Sequence, residues 1–424
     1  MVDKRTIETV LLDQKEELDA KRDLHLCSRM EEPLIDLNST QAQVVIGVRR
    51  SGKSTLCFLA LEHARVHYAY VDFDDERLKG ISTEQLNDIL EVLYKIYGDF
   101  KYLFLDEVQD IEDWYLFVNR LLRKNIHIIV TGSNAKLLSS ELSTHLSGRS
   151  KEIYLYPFSF AEYCDIMGVD CRLNTTKAIG LRRAAFDNYI KQGGFPELMQ
   201  IADSRSYVRD LTNNILQRDI EHRYKISYKA AFEQMTHHLL NTAPCTIVTT
   251  ERSELFRFKS EHTAKNYLNY LKQAFLLIGV QKYSTKSKLR VAQEKVYPVD
   301  VALMNNRENA LAGDNIGWRL ETIVLCQLMR KAKKEGWDIY YISERGGECD
   351  FVVCKGNQVL QAVQVSYDIS SERTRKRELK GLVIASEITK CKNLLLITDH
   401  TNEDVVVDGK NIMIRSIVDC ELLS

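Results

Sequence analysis

The chain has 424 residues, 45% of them hydrophobic, with 58 Lys and Arg against 59 Asp and Glu and a formal net charge of −1. That length and hydrophobic content predict two to four domains with buried cores, and five prolines without a low-complexity tract exclude long disordered linkers. Acids at Asp3, Glu8 and Asp13 stand where a secretory signal would need an apolar stretch, and the longest apolar runs, such as Ala274 to Val280, are too short to cross a bilayer; a cytoplasmic protein without membrane contact is expected.

Residues 1–38 open with a helix presenting Ile7, Val10, Leu11, Gln14 and Leu18 on one face. The run Gln41-Ala-Gln-Val-Val-Ile46 then reads as a buried parallel strand, and Leu56 to Ala64 as a helix. Between them lies Gly47-Val48-Arg49-Arg50-Ser51-Gly52-Lys53-Ser54, which fits G-x-x-x-x-G-K-[ST], a loop that wraps nucleotide phosphates. Its glycines let backbone N–H groups turn inward with no Cβ in the way. Lys53 adds a positive charge for the β- and γ-phosphates, Ser54 offers its hydroxyl to Mg²⁺, and Arg49, Arg50, Ser51 and Thr55 complete the expected contact set for ATP or GTP.

Tyr68 to Asp72 is a further strand, followed by helices at Thr83 to Ile96 and Trp114 to Arg123; the alternation predicts a parallel sheet. Lys101-Tyr-Leu-Phe-Leu-Asp-Glu107 is an apolar strand ending in two acids, 53 residues beyond Lys53. Asp106 is expected to hold Mg²⁺ through water and Glu107 to polarise the attacking water. Two carboxylates where one would hold the metal favour hydrolysis of the nucleotide over transfer to a small substrate. The strand Ile126-His-Ile-Ile-Val130 runs into Thr131-Gly-Ser-Asn134, where Ser133, or else Asn134, would reach the γ-phosphate or the water; a helix cap is the alternative. Arg149, in Leu146-Ser-Gly-Arg149, lies where an arginine could reach the γ-phosphate of a neighbouring subunit in a homo-oligomer.

The phosphate loop GVRRSGKST, the strand end LFLDEVQ, the TGSNAKLL turn, SGR and LYPFSFAEY together resemble AAA-type ATPases of bacteria and archaea, in a group where the ATPase precedes a C-terminal domain of unknown function. The resemblance continues through Gly193-Gly-Phe-Pro-Glu197, Gln217-Arg-Asp-Ile220 and Glu348-Cys-Asp-Phe351. It implies an α/β fold: an AAA+-like P-loop core over 39–156, a helical lid over 157–240, a winged helix over 241–300 and a restriction-endonuclease-like α/β domain over 301–424. By the same resemblance Arg29 belongs to a segment that touches the nucleotide's base; a plain surface arginine is the alternative. Arg218 is a candidate phosphate sensor, with a structural salt bridge as the alternative.

The organisation of residues 241–300 also reads directly as a winged helix, with helices at Ser253 to Phe258 and Glu261 to Gln273 and strands at Phe275 to Tyr283 and Lys295 to Val299. From Arg252 to Lys295, ten Lys and Arg against three acids give +7, which leaves −8 for the rest of the chain. A basic island on an acidic protein is the electrostatic footprint of a surface for phosphate backbones. Lys265, Asn269, Lys272, Lys286, Lys288 and Arg290 are the expected contacts to double-stranded DNA, with His262 and Asn266 beside them; a wing used only for a protein partner is the alternative.

Further on, Glu321 on the helix Trp318 to Lys333, Asp350 before the strand Phe351 to Cys354, and Gln364-Val-Ser366 at a strand end resemble the PD-(D/E)XK nuclease order. The E-x-K position reads Gln364-Val-Ser366, so the usual carboxylate and lysine are missing, and a neutral amide is a poor Mg²⁺ ligand. A non-cleaving version of that fold is expected. The basic run Arg373 to Arg377 is read either as a nucleic-acid contact or as a solvated face. Ten cysteines include no C-x-x-C pair, and Cys349 and Cys354 have no histidine at ligand spacing, so buried or idle thiols are expected.

Overall fold

The apolar runs of the first part of the chain become a parallel sheet in the computed structural model, which describes residues 2–133, 146, 148–173, 175–247, 249–284, 294–305 and 315–419. The chain forms two units: Met1–Leu155 with Gln273–Phe275, and Tyr156–Lys272 with Leu276–Ser424.

In the first unit α1 (Lys4–Lys21) is capped by Asp3, whose side chain accepts from the N–H groups of Arg5 and Thr6. Ile7, Val10, Leu11, Gln14 and Leu18 are buried, as the helical spacing predicts. Then follow β1 (Ala42–Ile46), α2 (Lys53–His63), β2 (Tyr68–Asp72), α3 (Leu86–Tyr97), β3 (Tyr102–Asp106), α4 (Trp114–Leu122), β4 (His127–Gly132) and β5 (Ser150–Tyr154). The sheet order is β2-β3-β4-β1-β5, every neighbour parallel. Val44, Ile46, Leu103, Leu105, Ile128 and Val130 enter one core cluster, while the alternate residues Val45, Phe104 and Ile129 enter another. Both faces are therefore covered, which is why the strands lack polar alternation. The strand β5 buries only Ile153 fully, so it leaves no apolar run to find in the sequence. Because β1 lies between β4 and β5 while β2 is at the far edge, the chain leaves β1 at a switch point, where such sheets open a crevice.

The second unit begins with α5 (Phe160–Ile166), α6 (Thr176–Gln192) and α7 (Ser204–Asn214), which runs on into a π-helix, Ile215–Glu221, over the Gln217-Arg-Asp-Ile220 motif. Next come α8 (Lys229–Thr242), β6 (Cys245–Ile247), α9 (Thr249–Leu255), α10 (Glu261–Gln273), β7 (Leu277–Lys282) and β8 (Glu294–Pro298). The remainder is α11 (Ile316–Glu335), β9 (Asp338–Glu344), β10 (Gly347–Lys355), β11 (Gln358–Val365), α12 (Glu372–Thr389), β12 (Leu394–Thr398), β13 (Glu403–Val407) and β14 (Lys410–Ser416). All nine strands form one sheet, β13-β14-β12-β11-β10-β9-β7-β8-β6. The boundary expected at residue 300 does not interrupt it, because β7 pairs in parallel with β9, Gln281 beside Tyr340 and Lys282 beside Tyr341. On one face Leu320, Ile323, Val324 and Leu328 of α11 join Phe351, Val353 and Val363; on the other Leu379, Leu382 and Val383 of α12 join Val352, Ala362 and Leu396.

Gly193-Gly194 has a structural task in this unit. The Gly194 N–H donates to the Asp300 carboxylate at 3.0 Å, and Ala302 N–H donates to it at 2.8 Å. A Cβ at Gly193, whose φ is +85°, would fall 2.1 Å from Asp300 Oδ1, and one at Gly194 would fall 2.2 Å from the Phe158 carbonyl. Only glycine fits that approach. Burial pushes the Asp300 carboxyl up to about 6.

Candidate functional site

The loop between β1 and α2 takes its shape from two constraints. Gly47 passes the chain so closely that a Cβ would lie 2.1 Å from the Leu155 carbonyl, and Gly52 enters α2 at φ +94°, in the left-handed region that glycine favours. Arg50 shares that region at φ +67°. Lys53 and Ser54 thus open α2, whose first N–H groups have no partner within the helix and carry its positive dipole end. Lys53 is only 4% exposed; its Nζ lies 3.3 Å from Glu107 Oε1 and 3.4 Å from the Val48 carbonyl. The buried Ser51 hydroxyl has no hydrogen-bond partner among the described residues. Thr55 is half-buried in the first turn of α2, and Arg49 pairs with Asp74 at 3.2 Å.

The strand ends bring the acids to this loop. Ser54 Oγ donates to Asp106 Oδ1 at 2.9 Å, Thr131 Oγ1 donates to the same oxygen, and the Tyr70 hydroxyl donates to Oδ2 at 3.3 Å. Thr131 Oγ1 also accepts the Glu107 N–H at 2.9 Å, so one hydroxyl ties both acids to β4. Burial, reinforced by the charge of Glu107, raises the Asp106 carboxyl above its ordinary value. Asp72, in register with Asp106 across the sheet, is pushed up to about 7 by burial and then by Asp106. Burial also pulls Glu107 upward, but Lys53, then Gln109 and Arg49, outweigh it and hold the carboxyl below its usual range. Gln109 Nε2 donates to Glu107 Oε2 and lies 3.5 Å from Ser133 Oγ. Glu107 adopts φ +51°, a left-handed conformation rarely taken by a side-chain-bearing residue, which turns it out of the strand direction.

Lys53, Ser54, Asp106, Glu107 and, through Gln109, Ser133 are therefore brought to one place. Asn134 lies outside the described residues. Arg29 is buried rather than at the surface, and its Nη1 donates to the Ser51 carbonyl at 2.8 Å. Arg149 does not join the site: it is exposed, donates to Asn119 Oδ1 at 3.3 Å, and its carbonyl accepts from Ala42 N–H at the opposite end of β1. Thr131, Gln109, Asp72 and Tyr70 were not singled out from the sequence. Thr131 and Gln109 sit inside quoted motifs, but their roles depend on which way a strand end turns. A recess with left-handed glycine, an unsatisfied hydroxyl, a helix N-terminus and a buried lysine fits an anionic phosphate. The Ser54 and Asp106 oxygens fit a hard cation such as Mg²⁺ beside it.

The sequence-predicted residues of the second unit are only partly brought together. Glu321 and Asp350 meet around a residue that the sequence reading had counted in the basic island, Lys295, whose Nζ lies 2.8 Å from Glu321 Oε1 and 3.7 Å from Asp350 Oδ1, while Gln364 Oε1 accepts the Asp350 N–H at 3.2 Å. Lys272 pairs with Glu294 at 2.9 Å and Lys282 with Glu344 at 3.2 Å, while Arg252 Nη1 meets His238 Nε2 at 2.8 Å. Four of the island's cations are thus engaged within the fold, and the acids from outside the island that meet them, Glu321, Glu348 and Glu344, could not be read from the sequence. Lys265 is exposed and Asn269 half-exposed on α10, while Lys286, Lys288 and Arg290 lie outside the described residues. In the basic run of α12, Arg375 pairs with Glu403 at 2.7 Å and Lys376 with Glu372 at 3.1 Å, and Arg377 meets Glu378. Among the described residues no helix is long and apolar enough to cross a membrane.

The AAA domain family matches residues 39–164, and a domain of unknown function, DUF8612, matches residues 183–313. The uncharacterized protein MJ1544 of Methanocaldococcus jannaschii is 30% identical over 432 residues, covering 98% of this chain and 95% of its own length. An uncharacterized protein of Haemophilus influenzae is 29% identical over 385 residues, covering 87% of this chain and 91% of its own. Among solved structures, the RuvB Holliday junction branch migration motor of Thermotoga maritima aligns at 14% identity over 64% of this chain and 93% of its own. Its TM-score of 0.29 is too low to establish a shared fold. With 30% identity to MJ1544 over 98% of its length, and with a phosphate-binding loop inside the AAA domain, this chain is a P-loop AAA-type protein and belongs to the family of MJ1544.

Proposed function

We propose that the chain binds ATP with Mg²⁺ on the 47–55 loop and hydrolyses it, and that the nucleotide state governs how the second unit grips a partner. The paired contacts Ser54–Asp106 and Lys53–Glu107 carry this reading: they set oxygens for a cation beside a carboxylate kept ionised by a lysine. Lys53, Ser51 and the first N–H groups of α2 would hold the β- and γ-phosphates, and Ser54 and Asp106 the metal. Bound Mg²⁺ would neutralise charge on the phosphate oxygens. Glu107, oriented by Gln109, takes the role of aligning water and accepting its proton, with Ser133 alongside. Replacing Glu107 with Gln should retain ATP affinity and abolish turnover, whereas Lys53→Ala should lose binding. Equal ATP dissociation constants for wild type and Lys53→Ala would sink the assignment.

Arg149 acts on a neighbouring copy in this reading. It sits at the end of β1 away from the loop, and five strand residues at about 3.3 Å each separate it from its own phosphates by roughly 16 Å.

For the second unit, the order helix, strand, two helices and two strands, with β6 and β7 both antiparallel to β8, supports a winged helix. Duplex DNA is the partner we propose for it, through Lys265 and Asn269 with Lys286, Lys288 and Arg290. With four of ten cations engaged internally, the log–log salt slope of binding should be no steeper than about −5. A protein partner is the second reading, and that internal neutralisation is what favours it. DNA binding unchanged in Lys265→Ala at moderate salt would decide for the protein partner. The Glu321, Asp350 and Gln364 centre is read as non-cleaving: protein with Mg²⁺ should leave plasmid DNA intact.

A further inference from the structure

Three strands and a helix of the second unit converge on a buried cluster of charge. Lys295 on β8, 7% exposed, sends its Nζ to 2.8 Å from Glu321 Oε1 of α11, 2.8 Å from Glu348 Oε1 and 3.7 Å from Asp350 Oδ1 of β10. Two residues along β8, and so on the same face, the Tyr297 hydroxyl donates to Glu321 Oε1 at 2.7 Å. Gln364 Oε1 accepts the Asp350 N–H at 3.2 Å, and its Nε2 donates to Glu378 Oε2 at 2.7 Å. Asp350 Oδ2 accepts the Val365 N–H at 2.9 Å.

Three carboxylates around one point are what a divalent cation seeks, and such cations take carboxylate oxygens at roughly 2.0–2.6 Å. Here the point is filled. An ammonium ion is compact, carries three donors and reaches along a flexible stem from an element remote in sequence. The oxygens nearest this point are taken by the ammonium: Glu321 Oε1 by Lys295 together with Tyr297, and Glu348 Oε1 by Lys295, while Asp350 is held in place by its bonds to Val365 and Gln364. No group of three or more His, Cys, Asp or Glu among the described residues is arranged to hold a metal ion.

We infer that Lys295 is a built-in substitute for a divalent cation: its ammonium, delivered by β8, occupies the centre that Glu321, Glu348 and Asp350 would otherwise offer to a metal, and keeps it shut. The charges agree. Despite its burial, Lys295 is held above its ordinary value by Glu321, Asp350 and Glu348, and so stays charged. Glu348, the exposed member of the cluster, stands at its mouth. The same ammonium clamps β8 to α11 and β10, so the two wing strands and the nuclease-like strands move as one sheet. This builds on the non-cleaving reading of the centre and explains it by occupancy, beyond the missing E-x-K residues.

Removing the ammonium should create a metal site, since the two nearer oxygens need to close in by well under an ångström. Mn²⁺ binding without nucleotide, followed by electron paramagnetic resonance, tests this on the full chain. Wild type should show no Mn²⁺ binding that Asp350→Asn removes. Lys295→Met should gain a site at least about tenfold tighter than any wild-type background, lost again in Lys295→Met/Asp350→Asn. Its melting temperature should fall below wild type and recover with Mn²⁺, while Lys295→Arg should gain no site. If Lys295→Met proves unfolded, Lys295→Gln, whose amide N–H groups can still donate to the carboxylates without a charge, takes its place in the same Mn²⁺ comparison. Wild-type Mn²⁺ binding abolished by Asp350→Asn would overturn the inference and, without DNA nicking, spare the non-cleaving reading. Nicking abolished by Asp350→Asn would overturn both. A folded Lys295→Met that binds no Mn²⁺ would overturn the inference alone.

Discussion

Among the described residues two lysines are buried, Lys53 in the first unit and Lys295 in the second, and both face carboxylates. Lys53 is held loosely, by contacts of 3.3 and 3.4 Å, beside a buried hydroxyl with no partner among the described residues. Lys295 is held at 2.8 Å by each of two carboxylates, Glu321 and Glu348; Glu321 also accepts from Tyr297, and the third acid, Asp350, accepts from a backbone N–H. Similar charges therefore give opposite outcomes. A glycine loop leaves the first lysine with bonding capacity to spare, fit for phosphate, while tight packing exhausts that of the second. What makes a charged cluster a binding site is the bonding its own fold leaves undone.

The largest expected effect tests whether the first site is complete within one copy. Arg149→Ala should bind ATP normally and lose roughly 10³ to 10⁵ in turnover, as removal of an arginine finger does. Mixing it with Lys53→Ala, which keeps Arg149 but not the phosphate grip, should restore activity. No recovery on mixing would assign Arg149 a local role.

Lys295→Met should destabilise the second unit by about 3–5 kcal/mol, since it strands buried carboxylates, whereas Lys53→Met should cost the first unit far less. Denaturant titrations of the full chain compare the two directly. Equal losses would erase the contrast between a closed and an open centre.

Asp300 sharpens the comparison because it is a buried acid answered by backbone N–H groups and no lysine. Its folded value, about 6, lies above the ordinary 3.8, so the folded state holds the proton more tightly. Its contribution is therefore most favourable below pH 4 and is lost as pH rises through 6, by up to roughly 3 kcal/mol. Asp300→Asn can keep both acceptor bonds without the charge. Its melting temperature relative to wild type should climb between pH 4 and pH 7; a difference that stays level would mean Asp300 ionises freely.

The smallest effect concerns Thr131, which ties Asp106 to Glu107. Thr131→Val should weaken the transition state by about 1–3 kcal/mol, read as a roughly ten- to hundredfold fall in turnover with ATP affinity little changed. Loss of affinity equal to the loss of turnover would make Thr131 part of the binding surface instead.

Much of the first unit was legible because its signals are local. The glycines of the loop, the apolar strand ending in Asp106-Glu107, and the helical spacing of Ile7, Val10, Leu11, Gln14 and Leu18 each concern residues close in sequence. The edge strand β5 was not, since only Ile153 is fully buried there. Gly193-Gly194 was visible as a motif, yet its reason, the Asp300 carboxylate more than a hundred residues away, was hidden.

Sequence alone determined the phosphate loop, the acids that face it and the parallel α/β core, because backbone geometry and strand polarity force those residues together. It also singled out Glu321, Asp350 and Gln364. Only the tertiary structure decided that Lys295 belongs with them and not to a basic surface, and that Lys272 and Lys282 are neutralised by Glu294 and Glu344. The physical reason is that a charge's partner is set by which strands pair and which faces they share, and long flexible side chains meet across distances in sequence that no local spacing encodes.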